Sequence, residues 1–366
     1  MDTHFYPLKV KKVQQETADA VSLLLEVPAD LKDTFQYTQG QYLTLRFNLK
    51  GKEERRAYSM CSSPLEPDLA VTVKRLPGGL VSNYIQDNIK AGDTIEVMPP
   101  EGRFFTPLAE HQKKTYYLIG AGSGITPLFS ILKTILEAEP QSTVNLLYGN
   151  RDEDHIIFQQ ALDQMAQRYA GQLHLRHTLS QPKREKGKGL SGFFSKGTIA
   201  WQGPVGRIEP KVLEKFLADF PAVSSGVEYF ICGPGAMIDS AEALLLKRGV
   251  DKKNIHSERF LSSVPTDASA AGNIDGALVK VHLDGSVHTV TVPAGKTILA
   301  TLLEKKMEAP YSCTSGACST CMAKVLHGSV KMDACYALDD DEVAQGYILT
   351  CQSHPQTPEV ELTYEV

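Results

Sequence analysis

The sequence predicts a multidomain chain: a small antiparallel β-barrel, then an α/β domain on a parallel sheet, then a smaller C-terminal α+β domain. Three observations carry this. The length of 366 residues is enough for two or three domains with separate cores. Near Thr115 the texture changes from short strands punctuated by turns to strands alternating with helices. A cysteine-rich loop, Tyr311-Ser-Cys-Thr-Ser-Gly-Ala-Cys-Ser-Thr-Cys321, then sits near the C-terminus in an acidic segment of its own. The expected boundaries are 1–107, 112–262, a linker at 263–276, and 277–366.

Charge and composition exclude several function classes. The formal net charge is −5, and residues 277–366 hold eleven acidic and six basic side chains, so the acidity belongs to the last domain. That balance argues against a nonspecific nucleic-acid binder. The opening residues, Met1-Asp-Thr-His-Phe-Tyr-Pro7, contain no apolar signal-peptide core. Thr115–Leu132 carries no charge, but three glycines and a proline divide it into strand, turn and helix, so no membrane span is expected. Seven cysteines, four of them in one spacing pattern, suit a reducing cytoplasm better than a disulfide framework.

In the first domain, strands are expected at Leu8–Gln14, Val21–Val27, Tyr42–Phe47, Arg55–Met60, Leu69–Lys74 and Thr94–Met98. Alternation puts Arg56 and Tyr58 of Arg56-Ala-Tyr-Ser59 on one strand face. An arginine there can grip a pyrophosphate, and a phenol can lie against a flat ring. Pro77-Gly-Gly-Leu-Val-Ser-Asn83 opens a short helix with Val81, Ile85 and Ile89 on its apolar face. Glycines before a helix N-terminus make an anion site from free N–H groups, although the same stretch also reads as a plain turn with a serine cap.

The second domain opens with a buried strand at Tyr116–Ile119 and the turn Gly120-Ala-Gly-Ser-Gly-Ile-Thr-Pro127. Leu128, Ile131, Leu132, Ile135 and Leu136 then recur with helical period. Such a turn lets a diphosphate approach the backbone. Its G-x-G-x-G spacing, with no acid at the usual distance, marks a variant of the standard dinucleotide fingerprint. Strands at Val144–Tyr148, Leu173–Thr178, Tyr229–Cys232 and Ile255–Ser257 alternate with helices near 156–169, 210–219 and 236–247, which gives a five-stranded parallel sheet. Ligands bind beyond the carboxyl ends of such strands, where Gly149-Asn150-Arg151, Ser180 and Cys232-Gly-Pro234 fall. Lys183–Lys196 reads as an exposed basic insertion.

Beyond the linker, Val279, Val281 and Leu283 run to an Asp284-Gly285 turn, with Val290 and Val292 pairing back. A helix is expected over about Thr297–Met307. Cys313, Cys318 and Cys321 then give C-x4-C-x2-C, with Cys351 far downstream, the ligand spacing of a plant-type 2Fe–2S cluster. Zinc sites usually pair two C-x2-C knuckles, which this chain lacks. Asp339–Glu342 reads as a solvated turn.

A nicotinamide gives two electrons as a hydride, whereas this cluster takes one at a time. A chain binding both needs a flavin to convert between them. The motifs Arg56-x-Tyr58-Ser59, Gly120–Pro127, Cys232-Gly-Pro and Glu258-Arg-Phe260 occur in the order found in the ferredoxin–NADP reductase family, which the first two domains resemble. The third resembles a plant-type ferredoxin of β-grasp fold. The whole chain is thus similar to iron–sulfur flavoprotein reductases, and by domain order to the reductase components of phenylacetyl-CoA epoxidase, steroid and aromatic-ring oxygenases.

The resemblance implies an FAD-binding barrel, an NAD(P)-binding α/β domain and a 2Fe–2S domain ligated by Cys313, Cys318, Cys321 and Cys351. Arg56 would hold the FAD pyrophosphate, with Ala57 and Lys74 beside it, Tyr58 on the isoalloxazine and Ser59 near its reactive nitrogen. Gly79, Leu80, Val81 and Ser82 would support the phosphates. Gly120, Gly122, Ser123, Gly124, Thr126 and Pro127 would bind NADPH (or NADH), with Asn150, Arg151 and Ser180 near its adenosine. Cys232, Gly233 and Pro234 would face the nicotinamide, and Phe260 the flavin. Ser59, Cys232 and Glu258 form the implied catalytic set, and an oxygenase component is the implied partner. A redox sensor binding the same groups is the alternative from another class, against which the intact catalytic set speaks.

Overall fold

The computed structural model describes residues 4–185, 198–260 and 274–366. Most of the basic insertion and of the linker expected from sequence lie outside the described residues. The first sheet runs β4-β3-β6-β1-β2-β5, from β1 (Tyr6–Thr17), β2 (Ala20–Glu26), β3 (Tyr42–Leu49), β4 (Lys52–Ser59), β5 (Leu69–Lys74) and β6 (Thr94–Glu101). Alternate residues point one way along a strand, so Leu8, Leu23, Leu25, Leu43, Leu45, Val71 and Val97 share one core. An antiparallel bridge between Met60 and Val71 brings the chain just past β4 against β5, so the sheet closes on itself as a barrel. Helix α1 (Leu80–Asn88) caps that core with Val81 and Ile85.

The second sheet is parallel, in the order β13-β12-β7-β8-β9. Its members are β7 (Lys114–Ala121), β8 (Thr143–Asn150), β9 (Leu173–Leu179), β12 (Gly226–Gly233) and β13 (Ile255–Arg259). A two-stranded ladder of β10 (Arg184–Glu185) and β11 (Thr198–Ile199) stands apart. The helices are α2 (Ile125–Ala138), α3 (Gln159–Arg168), α4 (Pro210–Asp219) and α5 (Gly235–Lys247). From β7 the chain builds outward through β8 and β9, then returns to place β12 on the other side of β7. The crevice of such a sheet opens at that reversal, between the carboxyl ends of β7 and β12.

Barrel and parallel sheet share a core: Ala20, Cys61, Ala70 and Phe104 cluster with Leu118, Leu128, Ile131 and Phe230. Ser130 Oγ donates to the Ser62 carbonyl at 2.6 Å, and the Ser63 and Thr134 hydroxyls meet at 2.9 Å. His4–Glu54 and Tyr58–Phe260 accordingly form one compact unit, and Arg55–Ala57 with residues 274–366 a second.

The second unit carries a five-stranded mixed sheet, β15-β14-β20-β16-β18. Its strands are β14 (Ala277–Leu283), β15 (Ser286–Val292), β16 (Met322–His327), β18 (Tyr347–Leu349) and β20 (Glu359–Thr363), while β17 (Val330–Met332) pairs with β19 (Ser353–Pro355). Asp284 and Gly285 both have positive φ, as the β14–β15 hairpin turn requires. Helix α6 (Ile298–Glu304) is capped by Thr297, whose Oγ1 accepts from Ala300 N–H at 3.1 Å. It ends three residues short of the expected Met307, because Lys306 turns left-handed and Met307 N–H closes on the Leu302 carbonyl. A second correction concerns Asp339–Glu342, expected as a turn. Asp339 and Glu342 form a reciprocal capping box that starts the short helix α7 (Asp340–Ala344). Among the described residues, no helix is long and apolar enough to cross a membrane.

Candidate functional site

The first centre forms where β4, β7, β12 and β13 end. Strand register puts Gly120 beside Cys232 and Cys232 beside Glu258, one row across the carboxyl end of the sheet. Ser59, buried at the last position of β4, donates its hydroxyl to Glu258 Oε2 at 2.9 Å. Barrel and α/β sheet thus contribute one side chain each to a single hydrogen bond, joining residues 199 apart in sequence. Burial pushes the Glu258 carboxyl up to about 7, and the Ser59 hydroxyl pulls the other way. Burial, then the neighbouring Glu258, pushes the Cys232 thiol well up, so Cys232 is a neutral, fully buried thiol at physiological pH.

Arg56, Ala57 and Tyr58 precede Ser59 on β4, and Tyr58 packs partly buried on the barrel core. Gly79 is the N-cap of α1, and a Cβ there would come within 2.6 Å of Ser82 Oγ. Ser82 does not cap the helix; its hydroxyl accepts from Leu76 N–H at 3.2 Å, which holds the Gly78–Gly79 turn. The first-turn N–H groups of Leu80, Val81 and Ser82 have no acceptor within the helix, as an anion site needs. Lys74, ion-paired with Asp19 at 3.7 Å, ends β5 close to Gly122.

The glycine turn lies in the crevice. Gly122, Ser123 and Gly124 make one helical turn leading into α2, where Thr126 and Pro127 occupy the first turn. Gly122 needs its positive φ, and Tyr148 Oη holds it by donating to its carbonyl at 3.0 Å. Sequence reasoning missed Tyr148, because a strand tyrosine reads as core. At Gly124 a Cβ would lie 2.1 Å from the Cys232 carbonyl oxygen, so no side chain fits. Gly233 and Pro234 follow Cys232 into α5.

Across the crevice, Ser180 N–H donates to the Asn150 carbonyl at 2.9 Å and Gln181 N–H to the Arg151 carbonyl at 2.7 Å, so these segments lie side by side. Among the described residues, neither Oδ1 nor Nδ2 of the buried Asn150 carboxamide has a partner within hydrogen-bond distance, although the Tyr148 hydroxyl lies close enough to feel it. Arg151 is engaged by Asp152 at 3.1 Å and by His155. Lys183 pairs with Asp154 at 2.7 Å. Phe260, just past β13, is exposed.

The second centre is the cysteine loop. Cys318, Cys321 and Cys351 are buried and Cys313 half-buried. The thiols come in two pairs, Cys313 with Cys318 and Cys321 with Cys351. A hydrogen bond from Cys318 holds Cys313 below the usual thiol range against the opposing effect of burial, and Ser315 N–H adds a donor to its Sγ at 3.4 Å. Among the described residues, no three His, Cys, Asp or Glu side chains gather into a site for a single ion. Two pairs of soft thiolates suit two irons rather than one zinc. A Cβ on Gly316 would lie 2.8 Å from the Ala334 carbonyl, so a glycine is needed where the loop folds under residues 334–336. The donor set fits a 2Fe–2S cluster.

Comparison with known proteins follows this division. Residues 7–106 match an oxidoreductase FAD-binding domain, 118–243 an oxidoreductase NAD-binding domain, and 281–356 a 2Fe-2S iron-sulfur cluster binding domain. The chain is 38% identical over 367 residues to a 1,2-phenylacetyl-CoA epoxidase subunit from Escherichia coli, covering 99% of this chain and 98% of that one. It is 36% identical over 367 residues to the ferredoxin reductase component of 3-ketosteroid-9-alpha-monooxygenase of Rhodococcus rhodochrous, covering 98% and 96%. Among solved structures, phthalate dioxygenase reductase shares the fold over 98% of both chains, with a TM-score of 0.58 and 24% identity.

Proposed function

This chain belongs to the family of FAD- and 2Fe–2S-containing reductase components of multicomponent oxygenases, and we propose that it serves a phenylacetyl-CoA epoxidase-type monooxygenase in the cytoplasm. It is an NAD(P)H-dependent oxidoreductase whose electrons pass through flavin and cluster to an oxygenase. Whole-length identity of 38% to the epoxidase subunit, against 36% to the steroid-ring reductase, supports the epoxidase type by a margin of two points. When bound, FAD supplies acceptance of an electron pair, and the cluster supplies release of single electrons.

The residues divide the work as follows. Arg56, Lys74 and the N–H groups of Leu80–Ser82 would hold the FAD diphosphate, and Tyr58 would pack against its ring. Gly120–Pro127 admit the coenzyme diphosphate, and Cys232, neutral and buried, floors the nicotinamide position without adding charge. Glu258 Oε2 and Ser59 Oγ hold and relay a proton at the reacting end of the flavin site. Cys313, Cys318, Cys321 and Cys351 ligate the cluster. NADPH is favoured over NADH through Arg151 and Ser180. The exposed Arg151–Asp152 pair is worth about 0–1 kcal/mol, less than the ~1.5–3 kcal/mol of a charge-assisted phosphate contact that would replace it.

The Ser59–Glu258 hydrogen bond in register with Cys232 and Gly120 carries the reading, because it assembles one site from two domains. Two acceptors test it: ferricyanide, which flavin reduces directly, and cytochrome c, which draws on the cluster. Cys351→Ser is expected to keep NADPH–ferricyanide activity and lose most cytochrome c reduction and all coupling to the oxygenase. Equal loss, or retention, of both activities sinks the proposed order of carriers.

A further inference from the structure

Gln352, next in sequence to Cys351, is only 2% exposed. Long polar side chains are seldom buried so completely, because their amide must then find partners inside the protein. Here Nε2 lies 3.0 Å from the Thr314 carbonyl, 3.0 Å from the Cys351 carbonyl and 3.6 Å from Cys351 Sγ. Two carbonyl acceptors fix the amide orientation, since only the NH2 end can face them. Thr314 sits in the Cys313 loop with a left-handed φ of 54°. A Cβ on Gly316 would come within 3.1 Å of Gln352 Cγ, so the stem packs directly on that loop. Oε1, by contrast, is buried with no partner among the described residues, an unfavourable feature that Leu or Met of similar size would remove.

We propose that Gln352 is a positioning residue for the cluster: one N–H of its carboxamide holds the Thr314 carbonyl of the Cys313 loop and the other is shared between the Cys351 carbonyl and Cys351 Sγ, raising the cluster's reduction potential. This rests on Cys351 being a ligand. A ligand sulfur becomes more negative when its cluster is reduced, so a fixed N–H dipole beside it favours the reduced state. The amide keeps its donor at that sulfur at the expense of an unsatisfied oxygen. An apolar side chain would fill the space but supply no dipole.

The test uses the full-length, cluster-loaded protein, with iron content, EPR of the reduced state and a spectroelectrochemical titration. Gln352→Leu is expected to retain iron while making cluster reduction about tenfold less favourable, a midpoint lower by about 59 mV for one electron. The g-values are expected to shift and the flavin midpoint to stay put. Gln352→Glu, of equal shape with an acceptor replacing the donor, covers the case in which the leucine variant fails to load, and its midpoint must also fall. A wild-type midpoint and g-values in whichever variant loads overturn the proposal, even if that variant loses iron faster on heating. An unchanged signal in Cys351→Ser would instead remove the ligand assignment beneath it.

Discussion

At the scale of single residues, the site is a pair of protonation states set by environment. Glu258 titrates near 7 because burial disfavours its charge more than Ser59 favours it. If its carboxylate accepts a proton through Ser59 Oγ, turnover must rise with pH and inflect near 7. Glu258→Gln is expected to flatten that profile and lower kcat on the order of 10²-fold, the scale of general acid–base catalysis. A variant with the wild-type inflection would assign the titration to another group. The stability consequence has a definite sign. A carboxyl whose pKa is raised on folding binds its proton more tightly in the folded state, so wild type loses stability as pH rises from about 4.5 to about 7. Urea midpoints of wild type and Glu258→Gln are expected to coincide below that window and to favour the variant above it. The coenzyme preference turns on ion-pair exchange at Arg151. Arg151→Ala is expected to lower kcat/KM for NADPH by about tenfold to a hundredfold while sparing NADH. Asp152→Asn, which removes the ion pair but leaves the His155 contact of Arg151, should move the ratio the other way. Equal or better wild-type use of NADH would show that Asp152, Glu153 and Asp154 repel the 2′-phosphate.

At the scale of elements, the turn between β7 and α2 is set by a backbone contact. Gly124 packs so closely on the Cys232 carbonyl that Gly124→Ala must push β7 and β12 apart at their carboxyl ends. Overpacking of this kind costs about 1–3 kcal/mol, and the displaced strand end carries Cys232. Denaturant midpoint and NADPH KM are both expected to worsen. A stable variant with normal KM would show that the turn relaxes freely. Most of these elements are legible in the sequence because their signals are local. The uncharged run at Thr115–Leu132 resolves into strand, turn and helix, Pro210–Asp219 and Leu69–Lys74 form the expected helix and strand, and the cysteine spacing names its cluster. What stays hidden is non-local, or local in a different register. Tyr148 acts through a hydrogen bond to Gly122 that no spacing encodes. The end of α6 depends on Lys306 adopting a left-handed φ without being glycine, and α7 on a capping box inside what reads as an acidic turn. The acidic partners of Arg151 are foreseeable as sequence neighbours, but that His155 also joins them is not.

At the scale of the whole molecule, the three domains expected from sequence resolve into two compact units, and the core shared by barrel and parallel sheet couples their unfolding. Phe104 packs edge-on against Phe230 with ring centroids 5.4 Å apart, and Ala20, Cys61 and Ala70 belong to the cluster that also holds Leu128 and Ile131. Residues 274–366 have a core of their own around Val279, Val281, Ile298, Leu302, Ala323, Leu349 and Leu362. Calorimetry of the full chain is therefore expected to show two transitions rather than three. Ligand binding to the native state assigns them, because each ligand stabilises only the unit that holds it. FAD at a hundred times its Kd should stabilise the larger unit by about 2.7 kcal/mol and leave the smaller transition where it was. Cys351→Ser should do the converse, since the bridge from the cysteine loop to Cys351 is lost only in the smaller unit. Barrel and α/β domain melting apart, or FAD moving both transitions, would contradict a single shared core between flavin and coenzyme domains. The hydrogen bond from Ser59 to Glu258 depends on that shared core. Opening at that core would part Ser59 from Glu258, so the proposed relay requires the larger unit to melt in a single transition.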